Sequence, residues 1–445
     1  MFKYIAVLIV GILTSFYFFP IEFTFLPGVN TKMAMAGFGL LILGYRLARG
    51  QRATIAKDML YLSGLAMIVS LIGFAAMTYN GTPDYTYATY IVSMWVWMGG
   101  AYVVTNAIRA LHARLDVELV CNYLIAVCVG QCISALMIDG IPAFKSFVDT
   151  YVSGFGFVDT SLLSKAKRLY GIGAGLDVAG LRFSTILCAI AYFTSRISGT
   201  EKRKYIVLYL VAFVLIALVG NMIARTTTVG VGLAMLFWGM CLFSQDTNAR
   251  SNSKYLWKWL MMVLLIAIPI IVWKYNTDIN FKGNVRFAFE GFFSLAEKSE
   301  WEVYSNNILM DMYVFPDNFK TWLIGDGYME NPENINPYYT GKTHSGYYMG
   351  TDVGYIRFIF YFGIFGLLSF IYFFIACTMA CINRLPQHTW LFLFILAVNQ
   401  IGWFKVSTDI FPIIALMLCV SALAPFPVNE ERLTFNEIKS VNSPK

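Results

Sequence analysis

Charge is scarce in this sequence. Asp, Glu, Lys and Arg together make up 13% of its 445 residues, against about 25% in a typical soluble domain. That shortage excludes an ordinary water-soluble globular chain. Histidine is rarer still, with three residues, His112, His344 and His388. Eight cysteines are present, but no CxxC pair or His/Cys cluster has zinc-ligand spacing. They read as small buried apolar residues. A phosphate-binding glycine loop and a Ser-His-Asp order are both missing, and no metal or cofactor is expected. The net charge of +7 lies largely in short loops, so it reports topology rather than nucleic-acid binding. No small-residue cleavage pattern follows the first apolar run, where Phe16, Phe18 and Phe19 are bulky, so that run is expected to stay as an anchor.

What the chain has in abundance is apolar sequence, 58% of all residues. Runs long enough to cross a bilayer, roughly 17–25 residues, recur from end to end. They predict an all-α integral membrane protein with about twelve spans: 4–24, 33–48, 59–77, 88–108, 117–138, 178–195, 205–222, 226–244, 256–273, 353–379, 388–404 and 407–425. Residues 1–428 form one polytopic domain, and 429–445 a polar tail without expected structure. Short cationic loops stay in the cytoplasm. Arg46, Arg49, Arg52 and Lys57 follow the second span, Arg109 and Arg114 the fourth, and Arg196, Lys202, Arg203 and Lys204 the sixth. Arg250 and Lys254 follow the eighth, and Arg384 the tenth. All fall on one side, with both termini. The external loop 78–87 has no Lys or Arg.

Two segments break the rhythm of short loops, about 139–178 and 274–352, and both are external in this orientation. Loops of that length are usually functional or separately folded. Ser299 and Glu302 have capping-box spacing, predicting a short helix over 300–313 that ends before Pro316. Upstream, Phe287, Phe289, Phe292 and Phe293 sit among Arg286, Glu290 and Glu297, which reads as an interfacial amphipathic segment or as a lid over the bundle. Gly325-Asp326-Gly327 signals a turn. The pairs Tyr338-Tyr339 and Tyr347-Tyr348, beside Asn and Asp, suit sugar faces, and equally suit a membrane interface.

The arginines depart from the charge pattern. Arg168, Arg182, Arg225, Arg286 and Arg357 all fall at the external face, several inside apolar runs. A cation in or near hydrocarbon is costly and marks a functional-site candidate. Singly, each reads as snorkelling to headgroups or as an internal ion pair. Together on one face they predict a polyanionic ligand, for which the planar guanidinium fork is suited. Arg168, Arg182, Arg225 and Arg357 are the candidate diphosphate ligands, and Asp177, Arg286, Asp326 and Tyr338 the candidate substrate contacts. Only His344 among the histidines shares that face, so it is the candidate general base, with Asp352 as orienting group or alternative base. Arg357 and Asp352 are five positions apart and are not expected to share a helix face. Asp409 beside Lys405 reads as a local ion pair.

Three stretches carry a family resemblance. Arg168 to Arg182 (RLYGIGAGLDVAGLR) resembles the external entry to a central span in bacterial O-antigen polymerases of the Wzy type. Gly220 to Thr227 (GNMIARTT) is similar to an arginine-bearing span start in that group, and Thr351 to Arg357 (TDVGYIR) with Gly363 to Gly366 (GIFG) resembles the segment after its large periplasmic loop. The layout of about twelve spans and a late external loop is similar too. His344 before a glycine-containing span is also similar to the related O-antigen ligases. The resemblance implies a GT-C-like bundle in the bacterial inner membrane with cytoplasmic termini and a site facing the periplasm. It implies a metal-independent, inverting glycosyltransferase that polymerises polyprenyl-diphosphate-linked oligosaccharides, with a chain-length regulator protein as a partner. The rivals are a ligase using a different acceptor and a lipid-oligosaccharide flippase. A flippase needs charge along a path through both faces, whereas the unexplained cations here lie at one.

Overall fold

The structure is a computed structural model that describes residues 2–50, 56–153, 168–199, 202–341 and 347–423. The tail 429–445, His344 and the central part of the first long loop lie outside the described residues. The structure is 77% helical, and the sheet among the described residues is one pair of two-residue strands, Glu22–Phe23 (β1) against Val152–Ser153 (β2), antiparallel with Glu22 opposite Ser153. The protein is therefore all-α.

The helices run in chain order as follows: α1 (Phe2–Phe18), α2 (Thr31–Ala48), α3 (Lys57–Asn80), α4 (Tyr90–His112), α5 (Val117–Gly140), α6 (Pro142–Tyr151), α7 (Leu176–Arg196), α8 (Lys202–Ile223), α9 (Thr227–Leu242) and α10 (Thr247–Thr277). Among the described residues, five short helices occupy the second long loop, α11 (Ile279–Ala288), α12 (Glu290–Lys298), α13 (Tyr304–Asp311), α14 (Phe319–Leu323) and α15 (Pro332–Ile335). Then come α16 (Gly354–Arg384), α17 (Thr389–Gly402) and α18 (Phe411–Leu423). A helix overlaps each predicted apolar segment. Of these, α3, α4, α5, α7, α8, α10 and α16 are long and apolar enough to cross a membrane, which makes this a multi-pass membrane protein.

Helix starts are set by side-chain caps. Asp116 accepts the Leu119 N–H at the start of α5, and Asp246 accepts the Asn248 and Ala249 N–H groups at the start of α10, satisfying donors that a helix N-terminus leaves unpaired. The predicted capping box is a correction. Ser299 closes α12 in a left-handed conformation (φ 60°), and α13 begins only at Tyr304. Ser294 Oγ takes the Glu302 N–H instead, at 2.8 Å, so the Ser299–Glu302 spacing forms a corner between two helices.

Burial ranks the helices. The apolar window of α7 is 83% buried and that of α10 only 11%, so α7 is central and α10 peripheral, its apolar side chains turned outward. Lipid tails are as apolar as Leu, so close packing rather than expulsion from water decides helix contacts in a bilayer. Gly180 provides one such contact: a Cβ there would lie 2.0 Å from Thr226 Oγ1. The near approach brings the start of α7 against the α8–α9 corner.

A break in α16 shapes the site end of the bundle. At Phe362 and Gly363 the backbone leaves helical geometry, with Gly363 at φ 67°. The carbonyls of Phe360 and Tyr361 turn instead to the Gly325–Gly327 turn, accepting from Asp326 N at 2.6 Å and Gly327 N at 3.0 Å. Only glycine fits position 363, because a Cβ would meet the Leu323 carbonyl oxygen at 2.1 Å. The loop is thus bonded into the helix core by main-chain groups.

The opposite end is tied by different pairs. Arg384 grips Asp58 with two nitrogens, Nε to Oδ2 at 2.6 Å and Nη2 to Oδ1 at 2.5 Å. Arg46 donates to Tyr102 Oη and Asn106 Oδ1. These arginines have local partners, as structural cations do.

Candidate active site

The site end gathers six segments: the 81–89 link, the approach to α7, the α8–α9 corner, the long loop, the start of α16, and the link between α17 and α18. The Leu169 N–H donates to the Met222 carbonyl at 3.2 Å, which sets Arg168 beside the corner carrying Arg225. Thr226 Oγ1 donates to Asp177 Oδ1 at 3.1 Å, so Asp177 sits one residue from Arg225. Lys405 Nζ lies 3.4 Å from Asp177 Oδ1. Lys405 therefore pairs with Asp177 and not with Asp409, a correction that linear proximity could not supply.

One part of the site is a cleft of about 650 Å³ lined by Arg168, Arg225, Arg286, Phe287, Glu290 and Phe293 among others. Both Arg168 and Arg225 lie over the Phe287 ring, 4.8 Å and 4.1 Å from its centroid. Such contacts favour the cation when water is excluded. Arg225 Nη1 is 2.7 Å from Glu290 Oε2. Burial lowers the Arg225 pKa while Glu290 opposes the shift. Arg286 donates to Glu297 at 2.7 Å and to Tyr275 Oη at 3.1 Å. Among the described residues no acceptor reaches Arg168 Nε, which is itself buried.

The second part centres on Asp352 and Arg357. Arg357 is 6% exposed, so it does not snorkel. Its Nη1 donates to Ser407 Oγ at 2.5 Å and its Nη2 to the Met329 carbonyl at 2.8 Å. Its guanidinium carbon lies 3.7 Å from the Tyr347 ring centroid. Asp352 and Glu330 each stand 3.9 Å away, beyond hydrogen-bond distance. The cation is thus hydrogen-bonded to neutral acceptors and only loosely compensated. Burial, and then the charge of Asp177, push Asp352 from the ordinary carboxylate value of 3.8 up to about 7, against the pull of Arg357, Lys405 and Arg168. Those same charges show that Asp352 lies within electrostatic reach of both parts of the site.

The remaining candidates divide. Arg182 joins neither part. It is 7% exposed, donates to the Phe18 carbonyl and lies 5.6 Å from the rings of Phe18, Phe19 and Trp97. Asp326 is held by the loop itself, accepting from Lys320 Nζ at 2.8 Å, Thr321 Oγ1 at 2.7 Å and Tyr348 Oη at 3.3 Å. Tyr338 is 90% exposed. His344 falls outside the described residues.

Four residues escape a linear reading. Glu290 and Tyr347 were visible only as loop residues. Ser407 gives no sequence signal. Asp84, in the loop free of Lys and Arg, is buried and accepts the N–H groups of Met329 at 2.7 Å and Glu330 at 3.0 Å. It therefore fixes the segment whose Met329 carbonyl receives Arg357. An acidic residue alone in a short apolar-flanked loop was the one available hint.

Chemically, the arrangement offers a carboxylate that can take a proton near neutrality, within electrostatic reach of Arg357, Lys405 and Arg168. Comparison with protein-family models, with curated proteins and with solved structures returns no match for this chain.

Proposed function

We propose that this protein is an inverting membrane glycosyltransferase that polymerises polyprenyl-diphosphate-linked oligosaccharides, with Asp352 as its general base. In this reading the helices over the twelve apolar segments span a bacterial inner membrane in a GT-C-like bundle, and the site faces the periplasm. The observation that carries it is Asp352, which stands 3.9 Å from Arg357 and whose pKa is raised to about 7 by burial and by Asp177, within the field of Arg357, Lys405 and Arg168. A base near operating pH combines a useful ionised fraction with driving force for proton transfer.

The step follows from those positions. The acceptor sugar's hydroxyl gives its proton to the Asp352 carboxylate as its oxygen bonds to the donor's anomeric carbon. The bond from that carbon to the diphosphate oxygen breaks on the opposite face, and polyprenyl diphosphate leaves with the electron pair. Charge develops on the leaving diphosphate, where Arg168 and Arg225 favour the transition state over the ground state. Arg357 counters the carboxylate. The polyprenyl tail lies in lipid, which accounts for a polar site at a helix end.

The test uses purified protein in detergent with a synthetic lipid-linked repeat unit. A ladder of longer lipid-linked products supports the polymerase. Transfer only to a separate added acceptor means a ligase. Passage of labelled lipid across proteoliposomes without any new glycosidic bond means a flippase and overturns the enzyme.

A further inference from the structure

We propose that the Glu290 carboxylate is a placeholder for ligand phosphate, and that the α11–α12 segment is a gate that it holds shut. The inference rests on the diphosphate reading of the cleft and adds to it a means of control.

The cleft is lined by four cations, Arg168, Arg225, Arg286 and Lys298, and by three carboxylates, Glu290, Glu297 and Glu302. The carboxylates take the cations nearly one for one. Arg286 pairs with Glu297 at 2.7 Å and Lys298 with Glu302 at 2.6 Å. Both pairs lie within the 275–302 stretch and are well exposed, so they neither join the loop to the helix core nor contribute much. The Arg225–Glu290 pair differs. It links the α8–α9 corner to α12, and its two side chains are only 16% and 31% exposed. Glu290 is held from its other side too, since Oε1 accepts the Tyr304 N–H at 3.2 Å. One carboxylate thus clasps the core to two loop helices.

Phe287 completes the closure. Its ring lies against both Arg225 and Arg168, 4.1 Å and 4.8 Å from their guanidinium carbons. Ring and carboxylate together occupy the two arginines that a diphosphate needs. A phosphate oxygen accepting from the same donors as Glu290 competes with it directly. Arg168 Nε, buried without an acceptor among the described residues, is a donor that the resting contacts leave over for the incoming anion. Beyond the clasp α12 keeps one aromatic contact to the helix core, Phe293 stacked on Tyr275 of α10 at 5.6 Å, while Phe292 and Leu295 are 63% and 48% exposed. Entry of the diphosphate and release of α12 are then one exchange, and the cleft closes on an internal anion when no substrate is present.

The experiment uses the full chain in nanodiscs with undecaprenyl diphosphate as probe. Binding is measured together with the distance between spin labels at Leu295→Cys on α12 and Tyr85→Cys in the 81–89 link. The eight native cysteines are all buried, so labelling reports the introduced pair. Removing the competing charge with Glu290→Gln, which keeps an acceptor for Tyr304, should tighten probe binding roughly tenfold, as expected for a charge-assisted hydrogen bond. It should also shift the labels toward the longer distance that the probe induces in the native chain. Glu333→Gln, which removes an exposed charge outside the cleft, should do neither. Should Glu290→Gln fold poorly, Glu290→Asp shortens the clasp and should give a smaller shift of the same sign. Equal affinity of native and Glu290 variants with an unmoved α12 overturns the gate and leaves the diphosphate site standing. No probe binding by any variant overturns the diphosphate reading, and the gate with it.

Discussion

The Asp352 carboxylate lies 3.9 Å from the Arg357 guanidinium across the first turn of α16. Five positions separate them, a spacing that would put them on different faces of a continuous helix. Asp352 precedes the helix, which starts at Gly354, so its side chain is free of that geometry. The contact is longer than a hydrogen bond, and Arg357 spends its donors on Ser407 and Met329. The carboxylate therefore stands beside a cation that does not fully neutralise it, while burial keeps it near pKa 7.

Asp352→Asn should lower turnover by ~10²–10⁴-fold, the usual range for an acid–base group, while undecaprenyl diphosphate still binds. A base acts when ionised, so kcat/KM of the native enzyme should rise with pH and level off above about 7. Below that pH Asp352 holds its proton and the rate falls tenfold per pH unit. Asp352→Glu should keep an acid limb at a displaced midpoint. His344→Ala in the same assay separates the two candidate bases: a dead histidine variant beside an active Asp352→Asn variant transfers the role to His344.

The arginines should respond differently by place. Arg225→Lys and Arg357→Lys keep the charge but lose the planar fork, and should lose at least tenfold in kcat/KM. Arg182 sits among the rings of Phe18, Phe19 and Trp97, so Arg182→Ala should act on folding. Removing a buried cation typically costs about 3–5 kcal/mol when its counter-charge stays buried. Thermal denaturation followed by size-exclusion chromatography should show a lowered Tm, with probe affinity of the folded fraction unchanged. An Arg182→Ala protein of native Tm that no longer binds diphosphate would return Arg182 to the site.

Asp84→Ala removes the acceptor of three main-chain donors, Thr86, Met329 and Glu330, each of which costs about 1–3 kcal/mol when buried unpaired. The Met329–Glu330 segment should then open, and Arg357 should lose its carbonyl. Limited proteolysis should cut within 327–341 faster than in the native protein, and kcat should fall more than KM rises. Asp84→Asn keeps an acceptor and should lie between. Native proteolysis with normal kcat in Asp84→Ala would remove Asp84 from any positioning role.

Orientation is open to direct measurement. Arg49, Arg203 and Tyr338 are all exposed, so single cysteines there should react with an impermeant maleimide wherever they face it. In intact spheroplasts Tyr338→Cys should label, and Arg49→Cys and Arg203→Cys should label only after lysis, because short cationic loops stay inside. The reverse pattern would put the cleft in the cytoplasm and end the proposal of a periplasmic polymerase.

The sequence by itself determined the membrane class, the helix segments and the residues that do not belong in lipid. Those properties are local: apolar length, charge density and a cation inside an apolar run can be read one window at a time. Arg168, Arg225 and Arg357 were legible as anomalies for that reason. Only the tertiary structure decided what the anomalies touch. It gave Lys405 to Asp177 rather than to Asp409, turned Arg182 to the α1 carbonyl, and brought Glu290 onto Arg225 from 65 positions away in sequence. It also lifted Asp352 to about 7, a value set by burial and by Asp177. Partner choice and pKa depend on which chain segments meet and on how much water they exclude. No window of sequence contains that information, because the meeting is fixed by packing of the whole bundle: the close approach at Gly180, and the break in α16 at Gly363 that receives the turn around Asp326.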